Sequence, residues 1–258
     1  MNTVTSQDGT SIAFDQLGQG APVILVSGGS VDRNSNAALG ALLAEHFTVF
    51  NYDRRGRGPS GDTLPYAVLR EVEDIQAVAR AAGGSAYLFG SSSGAALALE
   101  AARQLPSITK LALWEPPYIL DPSRRPPADT ARIFHSLIAD GKRGDAAEYF
   151  MAKVVGMPPE FVANARSQPW WAAQEALAHT LEYDATIMGD YSLPSEHIAA
   201  VQTPTVVLDG GTSCGFLNAT ANAVAELMPH AQRQTLEGQT HNVDAKVLAP
   251  VLTTFFNG

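Results

Sequence analysis

Gly90-Ser91-Ser92-Ser93-Gly94 separates two unlike stretches of this chain. Ala86-Tyr87-Leu88-Phe89 before it is short, apolar and aromatic, the composition of a strand. Ser93 to Gln104 after it is alanine-rich and reads as a helix. A Gly-X-Ser-X-Gly segment between a strand and a helix sets its central serine on a sharp, strained turn, and flanking glycines let the backbone close without a Cβ clash. Three serines stand in a row, yet only Ser92 lies two residues from both glycines. Ser92 is therefore the candidate nucleophile. The plainer alternative is a glycine-serine turn that merely caps a helix, and the strand before and helix after favour the nucleophile.

Working outward, short β-branched runs alternate with helical patterns, the signature of a mostly parallel sheet with crossover helices. Val4–Ser6 and Ser11–Asp15 flank an Asp8-Gly9 turn and suggest an opening hairpin. Pro22–Ser27 is uniformly apolar until its end, as a strand buried on both faces should be. Ala37–Glu45 reads as a helix and Thr48–Asn51 as a strand. Val68, Val72, Ile75 and Ala79 recur at helical spacing until Gly83-Gly84 stops the pattern. Lys110–Trp114 is the next strand. From Glu115 to about Pro194 there is no convincing buried strand; prolines cluster at its start, and helical pieces carry aromatic and methionine residues. Alternation resumes with the strand Thr205–Asp209, a helix over Ala219–Met228, the strand Arg233–Leu236 and a last helix near Val247–Phe256. The expectation is an α/β core of residues 1–115 and 195–258, an eight-stranded, mostly parallel sheet flanked by helices, with residues 116–194 inserted after strand six as a helical lid.

Composition limits the function. The chain has 258 residues, 45% hydrophobic and 17% charged, which is globular rather than disordered. A formal charge of −9 disfavours nucleic acid and anionic membrane as partners. The single cysteine, Cys214, can form no internal disulfide and anchors no metal-ligand cluster. Met1 to Asp8 has neither a basic start nor an apolar stretch behind it, so no secretory signal is read and a soluble, cytoplasmic protein is expected. No metal or organic cofactor is implied; the expected partner is a small-molecule substrate.

A serine needs a base, because its hydroxyl is a weak nucleophile at neutral pH. Of six histidines, His241 alone follows the last strand and precedes the terminal helix. With that pair the sequence resembles the α/β-hydrolase superfamily nearly end to end, in the chain order serine then histidine. Ser27-Gly28-Gly29 stands where that family usually has His-Gly-X, and Asp53-Arg54-Arg55-Gly56-Arg57-Gly58-Pro59-Ser60 resembles its D-X-R-G-X-G-X-S turn, which is expected to brace the sheet edge. The resemblance implies an oxyanion hole made by the backbone N–H groups of Gly29 and Ser93, with the Ser30 hydroxyl as an added donor.

The acid departs from the family pattern. Gly210-Gly211-Thr212-Ser213-Cys214, the loop that normally supplies an Asp, has no carboxylate. Three substitutes are open. Glu115 ends the strand after the nucleophile helix, a position from which a minority of the superfamily, including zearalenone-type lactonases, takes its acid. Asp209 closes the usual acid strand, and Asp244 follows His241 closely enough to be either the acid or a helix cap.

The expected reaction is two-step hydrolysis of a neutral, fairly apolar carboxylic ester or lactone through an acyl-enzyme. Met151, Met157, Trp170 and Trp171 are the residues expected to line an apolar pocket under the lid. C–C bond hydrolysis and cofactor-free perhydrolysis use the same constellation and stay open, as does a catalytically idle ligand-binding protein. Epoxide hydrolase and haloalkane dehalogenase relatives carry Asp where this chain has Ser92.

Overall fold

The computed structural model describes residues 1–258. Eight strands, β1 (Asn2–Thr5), β2 (Ser11–Leu17), β3 (Pro22–Val26), β4 (Thr48–Tyr52), β5 (Ala86–Ser91), β6 (Ile108–Trp114), β7 (Thr205–Gly210) and β8 (Ala231–Leu236), form one sheet in the order β1-β2-β4-β3-β5-β6-β7-β8. The β1–β2 and β2–β4 pairs are antiparallel and every other pair is parallel. Eleven α-helices accompany them: α1 (Ala37–Leu43), α2 (Val68–Ala81), α3 (Ser93–Gln104), α4 (Thr130–Ala139), α5 (Arg143–Tyr149), α6 (Pro159–Ala165), α7 (Trp171–Leu177), α8 (Leu181–Met188), α9 (Ser195–Ala199), α10 (Gly215–Leu227) and α11 (Ala245–Asn257). None is long and apolar enough to cross a membrane.

Why Pro22–Val26 is apolar throughout is visible in its packing. Successive side chains of a strand point to opposite faces, and both faces here are covered. Ile24 and Val26 join a core with Val72, Ile75, Leu97 and Val224 from α2, α3 and α10. Val23 and Leu25 join the opposite core with Leu39, Leu43, Leu248, Leu252 and Phe256 from α1 and α11. The strongly periodic helix expected around Val68 is α2, presenting Val72, Ile75 and Val78 to the sheet.

Helices α4 to α9 all lie between β6 and β7. They carry two small apolar clusters of their own, Phe134, Ala146, Ala178, Leu181 and Ala185 in one, and Ala147, Met151, Val162, Ala165 and Trp171 in the other. Helix α8 packs on α2 and α3, which brings the segment against the helix that follows Ser92.

Candidate active site

Strand β5 ends at Ser91 and α3 starts at Ser93, leaving Ser92 between them at φ 55°, ψ −127°. A non-glycine residue holds such a conformation only when its surroundings impose it. They do so here by close approach: a Cβ on Gly90 would lie 2.3 Å from the Gly94 carbonyl oxygen, and one on Gly94 would lie 2.4 Å from that of Ser27. Both positions must be glycine for the turn to close. The Ser92 N–H donates to the Trp114 carbonyl at 2.9 Å, pinning the turn to the end of β6.

Trp114 also reaches the other candidate. Its indole Nε1–H donates to the His241 carbonyl oxygen at 3.0 Å, while its ring is fully buried. The loop bearing His241 between β8 and α11 is thus fastened to the same residue that fastens Ser92. Glu115 follows. Its backbone takes the left-handed value φ 44°, and its side chain is fully buried. Glu115 Oε1 accepts from the Gly210 N–H at 2.8 Å, and Oε2 lies 2.6 Å from His241 Nδ1. With Nδ1 turned to the carboxylate, Nε2 is the ring nitrogen left without a hydrogen-bond partner. His241 makes no hydrogen bond to Ser92, and its side chain is 42% exposed; contacts of this kind often tighten only with substrate in place.

The other two carboxylates serve elsewhere. Asp209 accepts from Arg233 Nε and Nη2, both at 2.9 Å, and from Asn218 at 2.6 Å. Asp244 caps α11, accepting from the Lys246 N–H at 2.9 Å.

Gly28 and Gly29 follow β3 beside the turn; a Cβ on Gly28 would lie 3.2 Å from the Ser92 Cβ. Ser93 occupies the first position of α3, where helix N–H groups have no partner within the helix. The Ser30 hydroxyl, expected to be an extra donor, is engaged with Gln174 Oε1 at 2.5 Å. Met151 and Trp171 are buried in the helical segment's own packing and Met157 borders it, while Trp170 stacks on Phe161 at the surface. The packing contacts of these four side chains lie within the helical segment itself.

The sequence also concealed a charged network. Arg54, Arg55 and Arg57 are almost completely buried. Arg54 makes a fork to Glu71 with both contacts at 2.7 Å, Arg55 pairs with Asp74 and Asp8, and Arg54 and Arg57 converge on Asp184 at 2.8 and 2.7 Å. Asp184, on α8, also accepts from Ser93 Oγ at 2.8 Å. Burial alone would raise the Asp184 pKa, but the charges of Arg57 and Arg54 and the hydrogen bonds from Arg54 and Ser93 hold it below the ordinary carboxylate range.

Comparison with known proteins agrees with this fold. A solved alpha/beta hydrolase from Sphaerobacter thermophilus DSM 20745 is 51% identical, with 99% of this chain and 100% of that one covered at a TM-score of 0.91. A thermophilic esterase from Thermogutta terrifontis shares the fold at 22% identity, covering 99% and 97% of the two chains at a TM-score of 0.77. The uncharacterized hydrolase YraK of Bacillus subtilis (strain 168) is 34% identical over 96 residues, 36% of this chain and 35% of that protein. The model of the alpha/beta hydrolase family matches residues 23–249, and the chain belongs to that family.

Proposed function

We propose that this hydrolase cleaves a carboxylic ester, open-chain or cyclic as a lactone, of a neutral and fairly apolar small molecule, through an acyl-enzyme on Ser92. Ser92 Oγ attacks the carbonyl carbon while His241 Nε2 takes its proton. The tetrahedral intermediate places its oxyanion at the Gly29 and Ser93 N–H groups, each such donor being worth about 3 kcal/mol. Collapse expels the alcohol, which leaves with the proton held by His241. Water then attacks the acyl carbon, His241 accepts its proton, and the acid is released as Ser92 is regenerated. Throughout, Glu115 keeps Nδ1 protonated and offsets the imidazolium charge.

One observation carries the reading: the buried Glu115 carboxylate lies 2.6 Å from His241 Nδ1, on the residue next to the one that receives the Ser92 N–H. An idle binding protein has no need for a buried carboxylate against a half-exposed imidazole. The test is labelling with a fluorophosphonate followed by turnover of a panel of p-nitrophenyl esters and lactones. Ser92 should carry the label, and Ser92→Ala should lose both label and turnover while its circular dichroism is unchanged. A label on Ser91 or Ser93, or turnover by Ser92→Ala, would sink the assignment.

A further inference from the structure

The peptide that joins Gly28 to Gly29 has no side chain on either side to hold its plane, and glycine gives the backbone its widest freedom. An oxyanion donor needs the opposite: an N–H aimed before the charge develops. The structure supplies the restraint from outside the loop. Arg57 Nη1 donates to the Gly28 carbonyl oxygen and, at 3.0 Å, to that of Val31. In a trans peptide the carbonyl and the following N–H point in opposite directions, so a grip on the Gly28 oxygen fixes the direction of the Gly29 N–H. Arg57 is itself held through Nη2 by Asp184 Oδ2, and Asp184 Oδ1 receives the Ser93 hydroxyl. A Cβ on Gly29 would lie 3.2 Å from Asp184 Oδ2, which leaves no side chain between that carboxylate and the loop. A second side chain of the α4–α9 segment grips the loop as well: Gln174, on α7, receives the Ser30 hydroxyl and donates to the Ser30 carbonyl at 3.3 Å. Ser30 needs such a grip, since it stands at φ 57°.

We propose that Arg57 and Asp184 are positioning residues of the oxyanion hole, Arg57 aiming the Gly29 N–H through the Gly28 carbonyl and Asp184 tying Arg57 to Ser93, so that the hole is set only when helix α8 is docked on the core. Neither residue touches substrate. The proposal rests on Ser92 being the nucleophile. It extends that reading by making the helical segment part of transition-state stabilisation rather than a cover over the site.

Asp184→Asn would leave two buried guanidinium groups short of counter-charge and endanger the fold, so gentler variants serve. Arg57→Lys keeps the charge but cannot reach the Gly28 oxygen, the Val31 oxygen and Asp184 together, because an ammonium is a point charge and a guanidinium is a fork. Ser93→Ala keeps the backbone donor and cuts its tie to Asp184. Full-length wild type and both variants are titrated to completion with a fluorophosphonate to count reactive serines. For each, kcat per titrated site, KM for a p-nitrophenyl ester, and inhibition by an aryl boronic acid are then measured; the boronate's tetrahedral adduct puts an anionic oxygen in the hole. Arg57→Lys should lose about 10- to 100-fold in kcat per site with KM within about two-fold. Boronate affinity should fall in step with kcat/KM. Ser93→Ala should show the same pattern at smaller size, and it decides the matter alone if Arg57→Lys does not fold. Unchanged kcat per site and unchanged boronate affinity, with only thermal stability reduced, would overturn the proposal. An unlabelled wild type would overturn the Ser92 reading and this proposal with it, whereas full labelling with unaltered per-site kinetics overturns this proposal alone.

Discussion

Glu115 follows the last residue of β6, and Asp209 is the penultimate residue of β7, the strand paired with it. Both carboxylates are fully buried, and both lie at the same edge of the sheet. Their surroundings part at the backbone. Glu115 has left the strand at φ 44°, which swings its side chain across the end of β7 to the Gly210 N–H and onward to His241. Asp209 is still in register, opposite Thr235 of β8, so its side chain shares a face with Thr235 and Arg233 and is consumed by them. Being a carboxylate at a strand end is thus not enough to serve a histidine. The residue must also have escaped the ladder, and the extra methylene of Glu lengthens its reach. The family's usual acid comes from the loop after β7, where this chain offers only Ser213, whose hydroxyl is buried without a hydrogen-bond partner.

Substitution at each carboxylate tests that contrast. Glu115→Gln should show the largest effect: kcat lower by about 10⁴, the loss known for the equivalent amide change in the serine-protease triad, with KM little altered. Steady-state kinetics on the folded variant measures it, and a loss under about tenfold would move the acid elsewhere. Asp209→Asn should act on stability instead, lowering the free energy of unfolding by about 2–3 kcal/mol in urea titration, because Arg233 and Asn218 lose a charged acceptor. Its kcat should stay within about two-fold of wild type; a kcat collapse without unfolding would erase the difference between the two strand ends. Asp244→Ala should cost about 1 kcal/mol of stability from the lost cap of α11 and leave turnover intact. If turnover fell instead, the cap would be holding the His241 loop as well.

How far the sequence could be read follows the range of the interactions. The serine turn is local: two glycines, a strand before and a helix after, all within a score of residues. The strands and the helix of Val72, Ile75 and Val78 were legible because burial on one or two faces leaves a periodicity of its own. His241 is legible as a candidate from its place after the last strand. Glu115 is legible as a candidate because the loop after β7 lacks a carboxylate and the neighbouring strand end carries one. The Asp184 network left no such trace. Its partners Arg54, Arg57 and Ser93 lie 130, 127 and 91 residues away, and Leu181-Glu182-Tyr183-Asp184 reads as an unremarkable helical turn. Charged residues are almost never fully buried unless paired, and which pairs form is decided by packing of α8 on α3, not by spacing. The same limit explains Trp170 and Trp171. Their aromaticity was visible, but Phe161 and Val162, the residues they pack on, belong to another helix of the same segment.

Trp114 gives the protein a light-emitting probe in the place where it is most useful. Of its three tryptophans, Trp170 is 36% exposed and Trp171 belongs to the helical segment, while Trp114 is fully buried with its indole N–H on the His241 loop and its carbonyl on Ser92. An indole so enclosed emits towards the blue, and loss of its one hydrogen bond changes both its colour and its lifetime. With Trp170 and Trp171 replaced by phenylalanine, the remaining fluorescence comes from the one residue bonded to both the His241 loop and Ser92.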